Sequence, residues 1–207
     1  MQLQDILKLS PVVPVVTISH AEDAIPLAEA LIAGGIRVFE ITLRTPAGLD
    51  AIQEIAQKIP NAVVGAGTVI HPDQLLKARD VGAQFAVSPG VTPILLETAE
   101  QHKIPYLPGI NSASDIMLAL EHHFEIVKPF PAELLGGTQW LTTHKTVFPH
   151  IHFFPSGGIT KENMHHYLAL ESVISVGGTW VAPADAIKRK DWSAITASVR
   201  ETLSLVS

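Results

Sequence analysis

The chain has 207 residues, 47% of them hydrophobic and 16% charged, which suits one globular domain with a core of ordinary size. It has no cysteine, which excludes disulfides, thiolate metal sites and a cysteine nucleophile, and its net charge of −6 comes without a Lys/Arg cluster or basic-aromatic interleaving, which argues against a nucleic-acid partner. The opening MQLQDILKLS carries neither a basic leader nor a long apolar stretch, and no apolar run reaches the roughly 18 residues of a membrane span, so a soluble, cytoplasmic protein with no membrane contact is expected.

Short β-branched runs recur along the chain at intervals of roughly 20 residues, each followed by a helix-like stretch, the pattern of repeated βα units on a parallel sheet. The runs are PVVPVVTI (11–18), IRVFEITL (36–43), AVVGAG (62–67), QFAVS (84–88), IPYLPG (104–109), FEIVKPF (124–130), HFFPSGG (152–158) and VISVGG (173–178). After the first of them, AEDAIPLAEALIAGG has apolar positions at three- and four-residue spacing, and Gly34-Gly35 reads as its C-terminal stop. Eight units without a linker or a low-complexity insert predict a single-domain (β/α)8 barrel of the TIM type over residues 1–207, with a helix before the first strand. In that fold the side chains that do chemistry stand at the C-terminal ends of the strands.

On the second run Glu40, Thr42 and Arg44 alternate, so a regular strand directs all three to one face. Two readings stand: a Glu–Arg pair that braces the barrel, or an acid/base carboxylate beside an arginine that grips a substrate carboxylate. GAGT (65–68) and SPG (88–90) end the third and fourth runs. They bring the Thr68 hydroxyl and the apolar Pro89 to the mouth, or merely terminate strands.

On the sixth run Ile126, Lys128 and Phe130 share a face, and an ammonium group in an otherwise apolar segment needs a reason. Lys128 is either a strand-end lysine reaching water or a carboxylate, or an amine that attacks a carbonyl, for which a dry site favours the neutral form. Pro129 and Pro131 narrow the backbone on either side of Phe130. PSGGIT (155–160) and GGTW (177–180) then end the seventh and eighth runs, the two loops that in this fold often hold a phosphate; each glycine pair alone reads equally as turn chemistry. Of the ten histidines, His122-His123 and His165-His166 are sequence neighbours that face different ways on a helix. His150 and His152 have no obvious third ligand, so no catalytic metal is expected.

Taken together and in order, AGGIRVFEITLRT, VGAGTV, AQFAVSPG, PGI, KPFPAE, GGI and GGTW resemble the 2-keto-3-deoxy-6-phosphogluconate (KDPG) aldolase family, with its 4-hydroxy-2-oxoglutarate (KHG) aldolase relatives, over most of the chain. The resemblance implies a cofactor-free class I aldolase that splits KDPG into pyruvate and glyceraldehyde 3-phosphate in the Entner–Doudoroff pathway. It implies Lys128 as the Schiff-base lysine and Glu40 as the proton carrier. Arg44 and Thr68 would hold the pyruvyl carboxylate, Pro89 and Phe130 would line the apolar side of that pocket, and Gly157, Gly158, Gly177, Gly178 and Thr179 would receive the phosphate end. A homotrimer is implied as well. The same chemistry on 4-hydroxy-2-oxoglutarate or on the 6-phosphogalactonate epimer is the alternative within the enzyme class, and a non-catalytic barrel that binds a phosphorylated metabolite is the alternative outside it. Three positions depart from the family pattern: Pro129 stands where an aromatic residue is common, Thr179 where serine is frequent, and the first run lacks a basic residue that some relatives carry.

Overall fold

Every one of the eight runs contains strand in the computed structural model, which describes residues 1–206. The strands are β1 (Val12–Val16), β2 (Val38–Thr42), β3 (Val63–Gly67), β4 (Phe85–Val87), β5 (Tyr106–Leu107), β6 (Gly109–Ile110), β7 (Ile126–Pro129), β8 (His152–Phe153) and β9 (Val176–Gly178). All pair in parallel, in one sheet of order β5-β4-β3-β2-β1-β9 and another of order β6-β7-β8. Helices follow the strands, which makes one α/β domain around a curled parallel sheet.

The helix after β1 shows how local sequence sets the elements. A 3-10 turn at Ala21–Asp23 leads into a helix at Ala24–Gly34, and Gly35 closes it with φ +114°, a left-handed cap open to glycine at no steric cost. The expected stop at Gly34-Gly35 is therefore where the helix ends.

The fifth run differs from the single strand expected over 104–109. It forms two short strands either side of Pro108, because proline has no N–H to offer a ladder. The Pro108 carbonyl still accepts a bond from the Lys128 N–H (2.8 Å), and Gly109 draws so close to the end of β4 that a Cβ there would stand 2.4 Å from the carbonyl carbon of Pro89.

Two apolar cores result from the period-two alternation of the strands. One lies between the sheet and the surrounding helices and includes Phe39, Ile41, Val64 and Ala86. The other lies inside the curl, where Val13, Val38, Val63, Phe85, Val87, Leu107 and Phe154 meet Ile6 and Leu7 of the first helix, Leu3–Leu7. That helix closes the end of the curl from which the strands start, since Val13, Val38 and Val63 stand at or next to the first residues of their strands. The polar inward residues Glu40, Thr42 and Lys128 are left to the opposite, C-terminal half.

Removing this plug should cost stability. Ile6 is fully buried, so Ile6→Ala is expected to lower unfolding free energy by about 2 to 5 kcal/mol through lost burial and a cavity. A shifted urea midpoint at unchanged slope would show it; an unshifted midpoint would mean that the helix is dispensable.

Candidate active site

Glu40 and Lys128 are the charged pair inside the curl. Lys128 is 5% exposed and Glu40 1%, and Lys128 Nζ stands 3.6 Å from Glu40 Oε1. Neither Glu40 oxygen accepts a hydrogen bond from the described residues, so the ammonium is the opposite charge that accompanies this carboxylate out of water. The brace between Glu40 and Arg44 considered from spacing is not formed. β2 ends at Thr42, and the exposed Arg44 lies beyond it and donates from Nε to Thr68 Oγ1 (3.2 Å). Of the three residues expected on one face, Glu40 and Thr42 are buried and Arg44 stands on the rim.

Two backbone features hold this arrangement. Gly67, opposite Thr42 in the β2–β3 register, has no side chain because a Cβ would lie 2.5 Å from Glu40 Oε1. Thr68, next in sequence, has φ +60°, a left-handed conformation that is costly for a β-branched residue and is typical of a functional constraint. Its hydroxyl is thereby placed within reach of Arg44.

Lys128 is presented by β7 through backbone bonds that its proline neighbour does not disturb. The N–H groups of Lys128 and Phe130 donate toward β6, to Pro108 O (2.8 Å) and Ile110 O (3.0 Å). The carbonyls of Val127 and Pro129 face the other way and accept from Phe154 N and Ser156 N. The missing N–H of Pro129 thus falls on the β8 side, and the bonds that fix Lys128 on the β6 side are intact. The half-buried Phe130 ring has its centroid 5.2 Å from Lys128 Nζ, a cation–π distance. The peptide bond between Phe130 and Pro131 is cis.

Pro89 is half-buried, separated from the end of β4 by Ser88 alone. The backbone beside it is fixed by the buried Ser88, whose Oγ accepts bonds from the Tyr106 hydroxyl (2.6 Å) and the Gly109 N–H (3.2 Å). Burial pushes the Tyr106 phenol up to about 12 against the opposing pull of its bond to Ser88, so Tyr106 is a neutral donor at physiological pH.

The two glycine loops stand beside each other, joined by a parallel bridge between Ser156 and Gly177. Gly157 and Gly158 both have positive φ (+91° and +80°), and their N–H groups take no part in the backbone bonds that fix the loop. A Cβ on Gly177 would meet Ser156 Oγ at 2.7 Å, and one on Gly178 would meet the Trp180 ring at 2.4 Å, so Gly178 owes its lack of a side chain to packing. Thr179 is exposed at the end of β9.

The sequence did not single out Thr17, Ser88 or Ser156. Thr17 and Thr42 pair hydroxyl to hydroxyl at 2.8 Å near the ends of β1 and β2, and Ser156 is buried beside Gly177. The signal was the same alternation: Thr17 continues Val13 and Val15, and Ser156 continues Phe154. Among the described residues, no group of three His, Asp or Glu side chains is arranged to hold a metal ion.

A lysine kept from water, with a carboxylate as its charged neighbour at the C-terminal half of a parallel α/β sheet, is an arrangement suited to a lyase that works through a lysine–carbonyl adduct. The family model for KDPG and KHG aldolase matches residues 3–198. The KHG/KDPG aldolase of Escherichia coli K12 is 46% identical over 97% of this chain and 94% of its own, and the 2-dehydro-3-deoxy-phosphogluconate aldolase of Dickeya dadantii is 48% identical over the same shares. The KDPG aldolase of Legionella pneumophila, solved with pyruvate captured at low pH as a covalent carbinolamine intermediate, superposes with a TM-score of 0.95 at 43% identity, covering 98% of each chain. The chain belongs to the KDPG and KHG aldolase family.

Gly67→Ala tests the geometry around Glu40. The clash falls on the far end of a flexible side chain, so the fold should survive while the carboxylate is displaced, and aldolase turnover should drop by about tenfold or more. Unchanged turnover in a folded variant, followed by circular dichroism and steady-state kinetics, would show that the carboxylate position is not critical.

Proposed function

We propose that this chain is a class I aldolase that reversibly cleaves KDPG to pyruvate and glyceraldehyde 3-phosphate through a Schiff base on Lys128. The observation that carries this reading is the buried Lys128 Nζ 3.6 Å from the buried Glu40 carboxylate. Lys128 passes its ammonium proton to Glu40, the neutral amine adds to the C2 carbonyl to give a carbinolamine, and Glu40 gives the proton to the departing hydroxyl so that water leaves and the iminium forms. Glu40 takes up the C4 hydroxyl proton as the C3–C4 bond breaks, the bonding pair passes into the iminium to leave an enamine, and the aldehyde departs. The enamine is then protonated at C3, and hydrolysis releases pyruvate and restores the amine.

Arg44 and Thr68, bonded to each other at the rim, bind the pyruvyl carboxylate; Pro89 and Phe130 form the apolar wall. Gly157, Gly158, Gly177, Gly178 and Thr179 receive the phosphoryl end, a reading supported by the positive φ of Gly157 and Gly158 and by the unengaged N–H groups of those two. The same chemistry on 4-hydroxy-2-oxoglutarate, which lacks a phosphate, is the second reading, favoured by the relatives that carry both substrate names.

The closed (β/α)8 barrel expected from the sequence is part of this proposal. Parallel bridges Phe153–Val173 and Ser156–Gly177 connect β8 toward β9, and β5 and β6 are separated by Pro108 alone, which supports one closed ring. A homotrimer and a cytoplasmic setting are proposed from family membership, the first to be checked by light scattering; among the described residues no helix is long and apolar enough to cross a membrane.

Borohydride reduction in the presence of pyruvate, followed by peptide mass analysis, should place one adduct on Lys128 in the wild-type protein and none in Lys128→Ala, whose turnover should be abolished with the fold retained. An adduct elsewhere, or none in folded wild-type protein, would refute the mechanism. Glu40→Gln should slow turnover by about 100-fold or more while leaving KM within a few-fold, as loss of a proton carrier requires. Specificity constants for KDPG and 4-hydroxy-2-oxoglutarate decide between the two substrates.

A further inference from the structure

Two loops at the C-terminal ends of β7 and β8 are stitched into one edge. The N–H groups of Ala132 and Glu133 donate to the carbonyls of Ser156 (2.8 Å) and Gly157 (3.1 Å). The side chain of Glu133 adds a second link. A Cβ on Gly158 would stand 2.6 Å from Glu133 Cβ and 2.7 Å from its Cγ, so the glutamate stem lies directly against the Gly158 backbone. Beyond the stem, Glu133 Oε1 accepts a hydrogen bond from the Tyr167 hydroxyl on the helix Met164–Leu168.

The anchor at the far end is firm. Tyr167 is 1% exposed, and burial, then the bond and charge of Glu133, push its phenol above the ordinary tyrosine range, so it remains a neutral donor. Gly137 leaves room for the pair, since a Cβ there would stand 3.3 Å from the Tyr167 hydroxyl oxygen and 3.5 Å from Glu133 Oε1. Glu133 itself is exposed, so neither core packing nor burial of its carboxylate accounts for this geometry.

We propose that Glu133 is a positioning residue that braces the Gly157-Gly158 loop against Tyr167 and so holds it in the shape that receives the phosphoryl end of the substrate. The role rests on the assignment of that loop to the phosphate. Two adjacent glycines at positive φ have wide backbone freedom, and an unbraced loop must lose that freedom when an anion binds. The cost falls on binding of the phosphorylated end and leaves the amine chemistry at Lys128 untouched. Glu133 contacts no reacting atom in this scheme.

The test uses Glu133→Ala, which removes stem and carboxylate, and Tyr167→Phe, which keeps the ring and removes only the donor. Binding of inorganic phosphate is read by calorimetry, KM and kcat are read with KDPG, and Schiff-base formation is read by borohydride trapping of pyruvate, which has no phosphate. Both variants should weaken phosphate binding and raise KM by about tenfold, with kcat and pyruvate trapping within about twofold of wild type. Glu133→Gln, which keeps the stem and an acceptor oxygen, should recover most of the affinity. Undiminished phosphate affinity in folded Glu133→Ala or Tyr167→Phe, or a parallel fall in pyruvate trapping, would overturn the brace. Wild-type protein that traps pyruvate on Lys128 but binds no inorganic phosphate would overturn the loop assignment and the brace with it, while the Schiff-base reading would stand.

Discussion

The buried pair of Lys128 and Glu40 is the constraint on which the rest of the inner structure depends. Each charge has left water, and the two Glu40 oxygens accept no hydrogen bond from the described residues, so the carboxylate relies on an ammonium 3.6 Å away. Breaking such a pair from one side costs about 3–5 kcal/mol, because an uncompensated charge stays behind. Such a pair is therefore weak evidence for stability and better evidence for a task. The features around it read as the means of keeping it in place: Gly67 bare beneath the carboxylate, Thr68 held at positive φ, and Lys128 bonded toward β6.

The fold separates that cost from its own stability. The closing helix and the lower inward residues make a dry apolar core at the end where the strands begin, while the larger apolar layer lies between strands and helices. The charged pair occupies the other half of the same interior. A proposed site with several kinds of group then follows from strand ends lying side by side: a guanidinium and hydroxyl after β2 and β3, apolar walls after β4 and β7, and glycine loops after β8 and β9. In this arrangement each loop contributes a residue or two, and the sheet sets their spacing.

Much of this was legible in the chain itself. Period-two alternation put Glu40 with Thr42 and Lys128 with Ile126 on common faces, and the Gly34-Gly35 stop ended its helix where expected. Other features were not legible, for physical reasons. The run over 104–109 shows its proline, yet not that the pieces on either side pair with different neighbours, β5 with β4 and β6 with β7, since that depends on strands distant in the chain. Arg44 shares the parity of Glu40, yet parity holds only while the strand lasts, and β2 ends at Thr42. Thr17 and Ser156 are single hydroxyl residues in apolar or turn-like surroundings, and only their neighbours in space, Thr42 and Gly177, mark them out.

The sequence by itself determined the repeated βα pattern, the alternation that turns chosen side chains inward, and the ordered motifs that mark the family, because these are local properties of hydrophobic period, turn chemistry and residue type. Only the tertiary structure decided which charges meet. Glu40 and Lys128 lie on strands far apart in the chain, and Glu40 faced two cationic candidates, Arg44 close in sequence and Lys128 distant from it. Curling the sheet brought the distant one to 3.6 Å and left the near one on the rim, because an ion pair is made through space and register, not along the chain.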